Sequence, residues 1–262
     1  MNQLKMIAAA VALAAAGTAS AAVLGPTATT DGGEMSLTVF SKQAGVSFLF
    51  DTGIMVNDFR AQVATSGLLP TFSMAGNSAF DSFLSIYNAA GATDMRWTFF
   101  GGDNSGGPAP LRTMIATVSG DATVVTNGNM VDSMNFIFNN YLSAANLNPQ
   151  LNPTLGGGAN ASGVFQQGVD GKAYFLDTLG SDFMGKFQET SNLLGAETEV
   201  FDFVRSSTSA LGNATEKSLG IYTFKQDAGT YVLTPVPEPS TYALMVAGLA
   251  VAGIAARRRA AK

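Results

Sequence analysis

Six residues near the C-terminus, Val236-Pro237-Glu238-Pro239-Ser240-Thr241, carry the most specific chemical signal in the chain. Two prolines flank one carboxylate, and each proline removes an amide donor and disfavours helix in the residue before it. A peptide built this way stays extended, the form in which a protease groove reads its substrate. Its chemistry is that of being recognised and cut. Behind it runs Tyr242–Ala256 without a charge, then Arg257-Arg258-Arg259. A helix from Thr241 to Ala256 would rise roughly 24 Å, short of a bilayer core of about 30 Å. A transmembrane helix over about 241–256 therefore needs local thinning or snorkelling arginines. The arginine cluster marks the cytoplasmic end, which puts everything before Thr241 outside.

Extended Pro-Glu-Pro peptide, short apolar helix and arginine cluster, in that order, resemble the PEP-CTERM sorting domain of exported Gram-negative bacterial proteins. The resemblance covers about residues 236–259. It implies recognition by exosortase, a membrane-embedded, cysteine transpeptidase-like sorting protease that cleaves at or near the motif. It also implies that Pro237, Glu238 and Pro239 are recognition residues, and it associates the chain with exopolysaccharide and biofilm. The other reading of the same tail is an ordinary anchor that stays in the inner membrane, with the rest of the protein facing the periplasm.

Other chemistry is limited by what is missing. The chain has no Cys and no His, so thiol nucleophiles, imidazole ligands and Ser-His-Asp triads are excluded. Carboxylates remain: Glu197, Glu199 and Asp202 cluster, and so do Asp170 and Asp177. A glycosidase needs two such groups facing each other across a cleft, and spacing alone does not establish that; a solvated polar face is the simpler account. In Gly101-Gly102-Asp103-Asn104-Ser105-Gly106-Gly107-Pro108 the side chains of Asp103, Asn104 and Ser105 offer oxygens to calcium, although turn chemistry explains them as well. No other cofactor is expected, and no catalytic residue is assigned.

At the N-terminus, Lys5, the apolar stretch Met6–Ala16 and the small-x-small pattern Ala19-Ser20-Ala21 form a secretory signal peptide over residues 1–22, with Ala19 and Ala21 as its cleavage residues. Setting aside Lys5, Glu238, Arg257, Arg258, Arg259 and Lys262 leaves 9 basic and 18 acidic residues, a net charge of about −9. Such a surface does not neutralise phosphates, so nucleic acid is not an expected partner. The expected partners are the sorting protease, the membrane before processing, and extracellular polysaccharide.

The elements that must carry these segments are read from periodicity. Met35, Leu37 and Val39 alternate with Glu34, Ser36 and Thr38, the pattern of a half-buried strand. Further strands are expected at 46–50, 95–99 around Trp97, 111–119, 173–176, 200–204, 219–224 and 230–234. Helical spacing appears in Phe80, Phe83, Leu84 and Tyr87, in Met130 through Leu142, and in Phe183, Phe187 and Leu194 behind Ser181-Asp182. The glycine-rich run from Gly101 and the segment 146–163 read as loops. Many short strands with frequent turns predict a mainly β domain over 23–234, an antiparallel, jelly-roll-like β-sandwich with a few short helices. A signal helix precedes it and the sorting signal, 235–262, follows. The function expected is that of a non-enzymatic surface or matrix protein, structural or adhesive; the alternative is a carbohydrate-active enzyme using paired carboxylates.

Overall fold

The computed structural model describes residues 23–25, 32–104, 112–119, 125–149, 151, 161–187 and 189–237. Ten strands form one antiparallel sheet: β1 (Glu34–Ser41), β2 (Val46–Met55), β3 (Phe72–Ser73), β4 (Arg96–Asp103), β5 (Thr113–Val118), β6 (Ser162–Gln166), β7 (Asn192–Leu193), β8 (Glu197–Val204), β9 (Thr215–Asp227) and β10 (Thr230–Val236). Their order is β3-β10-β9-β8-β5-β4-β1-β2-β6, with β7 also paired to β4. The helices are α1 (Val56–Ser66), α2 (Ser78–Ala89), α3 (Asn127–Phe136), α4 (Ser143–Ala145) and α5 (Phe175–Leu179), and a π-helical turn, Ile137–Leu142, joins α3 to α4.

The sheet curls on itself, and aromatic rings close the curl. Phe50 of β2 and Phe72 of β3 stand far apart in the strand order, yet their ring centroids lie 6.4 Å apart. Helix α2 fills the seam, its Phe80 ring lying 5.0 Å from Phe48 of β2 and 5.2 Å from Tyr231 of β10. The helix forms there because its apolar residues recur at helical spacing and the Asn77 side chain caps it, accepting from the Phe80 amide at 3.0 Å. Edge-to-face ring pairs of this kind add about 0.5–1.5 kcal/mol each beyond area burial.

The opposite face of the sheet is covered by helices. Tyr141 and Phe175 pack edge to face at 5.4 Å, and Phe175 stacks on Phe40 of β1 at 4.7 Å. This layer is helical, and among the described residues one sheet supplies all the strands, so the expected two-sheet sandwich does not appear there. The same layer overturns the reading of β1 as half-buried, since all eight of its residues are buried. Gly101 and Gly102 belong to β4 and not to a loop. A Cβ on Gly101 would meet Met35 Sδ at 2.5 Å on one face, and a Cβ on Gly102 would meet Met134 Sδ at 2.7 Å on the other. The two glycines let both layers close on the sheet.

Two other expectations fail locally. Residues 173–176 form the end of a 3-10 turn and the start of α5, not a strand. The segment 183–194 is not a helix: Phe183 and Met184 have φ of 49° and 64°, and Gly180 and Gly185 take positive φ beside them. Among the described residues no helix is long and apolar enough to cross a membrane. The signal helix over 1–22, with Ala19 and Ala21, and the helix over 241–256 lie outside the described residues.

Candidate functional site

Three places bear on function: the exit of the chain from β10, a polar cleft, and the residues singled out for calcium. Strand β10 pairs with β9 along its whole length, from Thr230 opposite Asp227 to Val236 opposite Ile221. On its other side β3 covers only Val232 and Leu233. The stretch Thr234–Val236 is therefore an edge, where Pro235 can stand without costing a ladder bond. Leu233 is the last residue of the strand that is fully buried. Of the predicted recognition residues, Val236 ends β10 and Pro237 follows it; Glu238, Pro239, Ser240, Thr241, Arg257, Arg258 and Arg259 lie outside the described residues. From Val236 to Thr241 five residues span at most ~18 Å.

A cleft of about 580 Å³ opens between the β1–β2 turn, β4 and the α5 region. Phe40 and Leu176 give it apolar wall, while Lys42, Asp94, Arg96, Gln167, Asp177 and Glu189 give it charge and hydrogen-bonding groups. Asp94 is held by the backbone amides of Lys42 and Gln43, both at 3.0 Å, and by the Ser41 hydroxyl. Glu189 pairs with Arg96. Asp177 accepts from Gln167 Nε2 at 3.0 Å. Tyr174 is fully buried at the cleft, yet its hydroxyl has no partner among the described residues. Burial, with Asp177 and Asp94 nearby, pushes that hydroxyl up to about 12. It stays a protonated donor across physiological pH.

Sequence spacing found Asp177 but none of its neighbours, because Lys42, Asp94 and Glu189 come from three separate turns. The other carboxylates considered are dispersed. Asp170 accepts from the Gln166 amide at 2.6 Å. Glu197 and Glu199 stand outside the cleft lining on β8. Asp202 is buried and paired with Arg60 of α1 at 2.8 Å; burial raises its pKa, and Arg60 opposes that.

Of the residues singled out for calcium, the described ones make side-chain bonds within the protein. Asp103 accepts from Asn57 of α1 at 2.9 Å, and Asn104 donates to Asn135 of α3 at 2.9 Å. The two neighbours thus tie helices of different layers to β4, and Ser105 lies outside the described residues. Among the described residues no three His, Cys, Asp or Glu come together in a way that would hold a metal.

Residues 235–259 match the PEP-CTERM protein-sorting motif. The motif implies an exported protein with a C-terminal sorting tail and processing by exosortase. The match begins at Pro235, inside β10, so folded domain and sorting signal meet without a linker. No curated protein and no solved structure matches the chain.

Proposed function

We propose that residues 23–234 are a non-enzymatic surface or matrix domain, structural or adhesive, released from an inner-membrane-anchored precursor when the tail is cut and held in the extracellular matrix by a neutral polysaccharide. The observation that carries this is the position of the motif. Its Pro-Glu-Pro core follows the last paired residue of β10, so a cut there leaves the sheet whole. The cleft beside Tyr174 supports the polysaccharide part. Sugars present apolar faces and a rim of hydroxyls, and the cleft sets the part-exposed Leu176 beside the carboxylates of Asp94, Asp177 and Glu189 and the Gln167 amide. An anionic glycan would be repelled by a domain of net charge about −9.

Co-sedimentation of the exported protein with neutral and acidic matrix polysaccharides tests this reading. Retention on the neutral polymer, weakened by Tyr174→Phe and Asp177→Asn, supports it; no retention on any polymer removes it. Asp177, Asp94 and Glu189 within one cleft keep the paired-carboxylate enzyme as a second reading. Each of these groups already holds a partner, which favours binding over catalysis. Hydrolysis of any member of a glycan panel, lost in Asp177→Asn, would reverse that preference.

A further inference from the structure

Glu34 and Asp51 form a buried acid pair without a cation. They lie on the helix-covered face of β1 and β2, 6% and 0% exposed. Asp51 Oδ1 accepts from the Gly53 amide at 2.8 Å, but Asp51 Oδ2 is buried without a partner. Ser36, directly opposite Asp51 in the ladder and fully buried, also has an unpartnered hydroxyl. Among the described residues the ion pairs join other groups, so no described Lys or Arg neutralises either acid. Burial raises the pKa of both acids, and Asp51 adds to the rise at Glu34. Such carboxyls lose their protons only at a cost unless something positive reaches them.

The short segment Val23–Gly25 docks on this pair. The Leu24 amide donates to Glu34 Oε2 at 2.6 Å, and the Glu34 amide donates back to the Leu24 carbonyl at 2.9 Å. The Asn146 side chain grips both backbone groups of Val23, accepting from its nitrogen at 3.1 Å and donating to its carbonyl at 3.0 Å. Val23 is 1% exposed. Gly25 is built for the contact, since a Cβ there would fall 1.6 Å from Phe138. A cavity of about 20 Å³, bordered by Leu24, Glu34 and Leu142, leaves room for one water-sized group.

We propose that the α-ammonium group freed by leader removal, on a chain that begins at Val23, is the counter-charge of the Glu34–Asp51 pair. The inference rests on the export reading. Hydrolysis of the leader bond puts the water oxygen on the leader's new carboxylate and leaves the amine on the domain, where it takes up a proton. Val23 nitrogen, which Asn146 Oδ1 holds at 3.1 Å, is one residue from the amide that donates to Glu34 Oε2, so the new charge arises one residue from the acid pair. Cleavage thus completes the pocket instead of merely trimming the chain.

The test uses protein exported and processed from the full chain. Its N-terminal residue is read by mass, and the α-amine is labelled with an amine-selective reagent in the folded state and in urea. The titratable groups facing this pocket are Glu34 and Asp51, with Tyr141 on the same face of the sheet. A chain that starts at Val23 is expected to label at least ~10-fold more slowly when folded, since each unit by which the amine pKa rises cuts the free amine tenfold. Its labelling is expected to titrate above the ordinary α-amino range of about 7.7–8.0. Gly25→Val and Glu34→Gln are each expected to restore fast labelling. A correctly processed chain that labels as fast folded as unfolded, or titrates at or below the ordinary range, overturns the docking. A chain that starts elsewhere overturns the leader reading and the docking with it.

Discussion

The two faces of the curled sheet are both buried and differ in chemistry. The concave face is mostly hydrocarbon, with Leu37, Phe48, Trp97, Phe99, Ile115 and Phe224 packed with Phe80 and Phe83 of α2, and its buried acids Asp103 and Asp202 are tied to Asn57 and Arg60 of α1. The helix-covered face mixes rings with small polar residues, among them Ser36, Thr38, Ser47, Asp51 and Thr98, all fully buried. Some of these find partners on the covering helices. Thr38 Oγ1 lies 3.3 Å from the Tyr141 hydroxyl, and Ser47 Oγ accepts from the Phe175 amide at 3.2 Å. The concave face supplies non-directional driving force; the other fixes which helices and which chain end dock on it.

The sharpest way to break this contrast is to cut a hole in the concave face. Phe80→Ala is expected to cost about 3–5 kcal/mol, the range for deleting a buried aromatic ring, read as a lower midpoint in urea unfolding. A loss below about 1 kcal/mol would mean that α2 is not what closes the curl. Arg60→Ala leaves Asp202 buried with neither oxygen partnered, since its Oδ1 already lacks one. With Arg60 partly exposed, about 1–3 kcal/mol is expected for orphaning the group, again from urea midpoints.

On the helix-covered face the sensitive variable is pH. Glu34 and Asp51 have folded pKa values above the ordinary carboxylate range. The folded chain therefore binds more protons than the unfolded one, and stability falls as pH rises from about 4 toward neutrality. Melting temperatures at pH 5 and pH 8 should show the larger drop in a leader-retaining chain than in the processed one, where an ammonium offsets the acids. Equal drops would remove the link between processing and this pocket. Thr38→Val leaves the Tyr141 hydroxyl without its partner and is expected to cost about 1 kcal/mol. Leu211→Ser, at a side chain 89% exposed, should stay within about 0.5 kcal/mol.

Strands were legible in the sequence where turn residues bounded a β-branched or aromatic run, as in the expected 34–40, 46–50 and 219–224, which lie inside the longer β1, β2 and β9. Their partition was not legible. Ser36 and Thr38 look solvent-facing in one dimension, and it is elements far along the chain, such as Tyr141 against Thr38, that make this face interior. Helix α1 gave no signal because it follows β2 without a turn, and its cap residue, Met55, makes no side-chain bond. The pair Phe183 and Phe187 has helical spacing, but Gly180 and Gly185 break the segment into turns, and the rings reach the core from there at 5.7 Å centroid separation. The sorting signal was legible because it is linear: a peptide read by an enzyme carries its information in its order, with no help from the fold. The cleft and the acid pair, assembled from distant turns and strands, were not.

The central claim is that the peptide following β10 is there to be cut. Intact mass of the protein recovered from the cell surroundings tests it directly. The expected result is a chain ending at or near Pro237-Glu238-Pro239, with β10 complete and the arginine cluster gone. A recovered chain that still ends in Arg257-Arg258-Arg259 and the residues after them would contradict it.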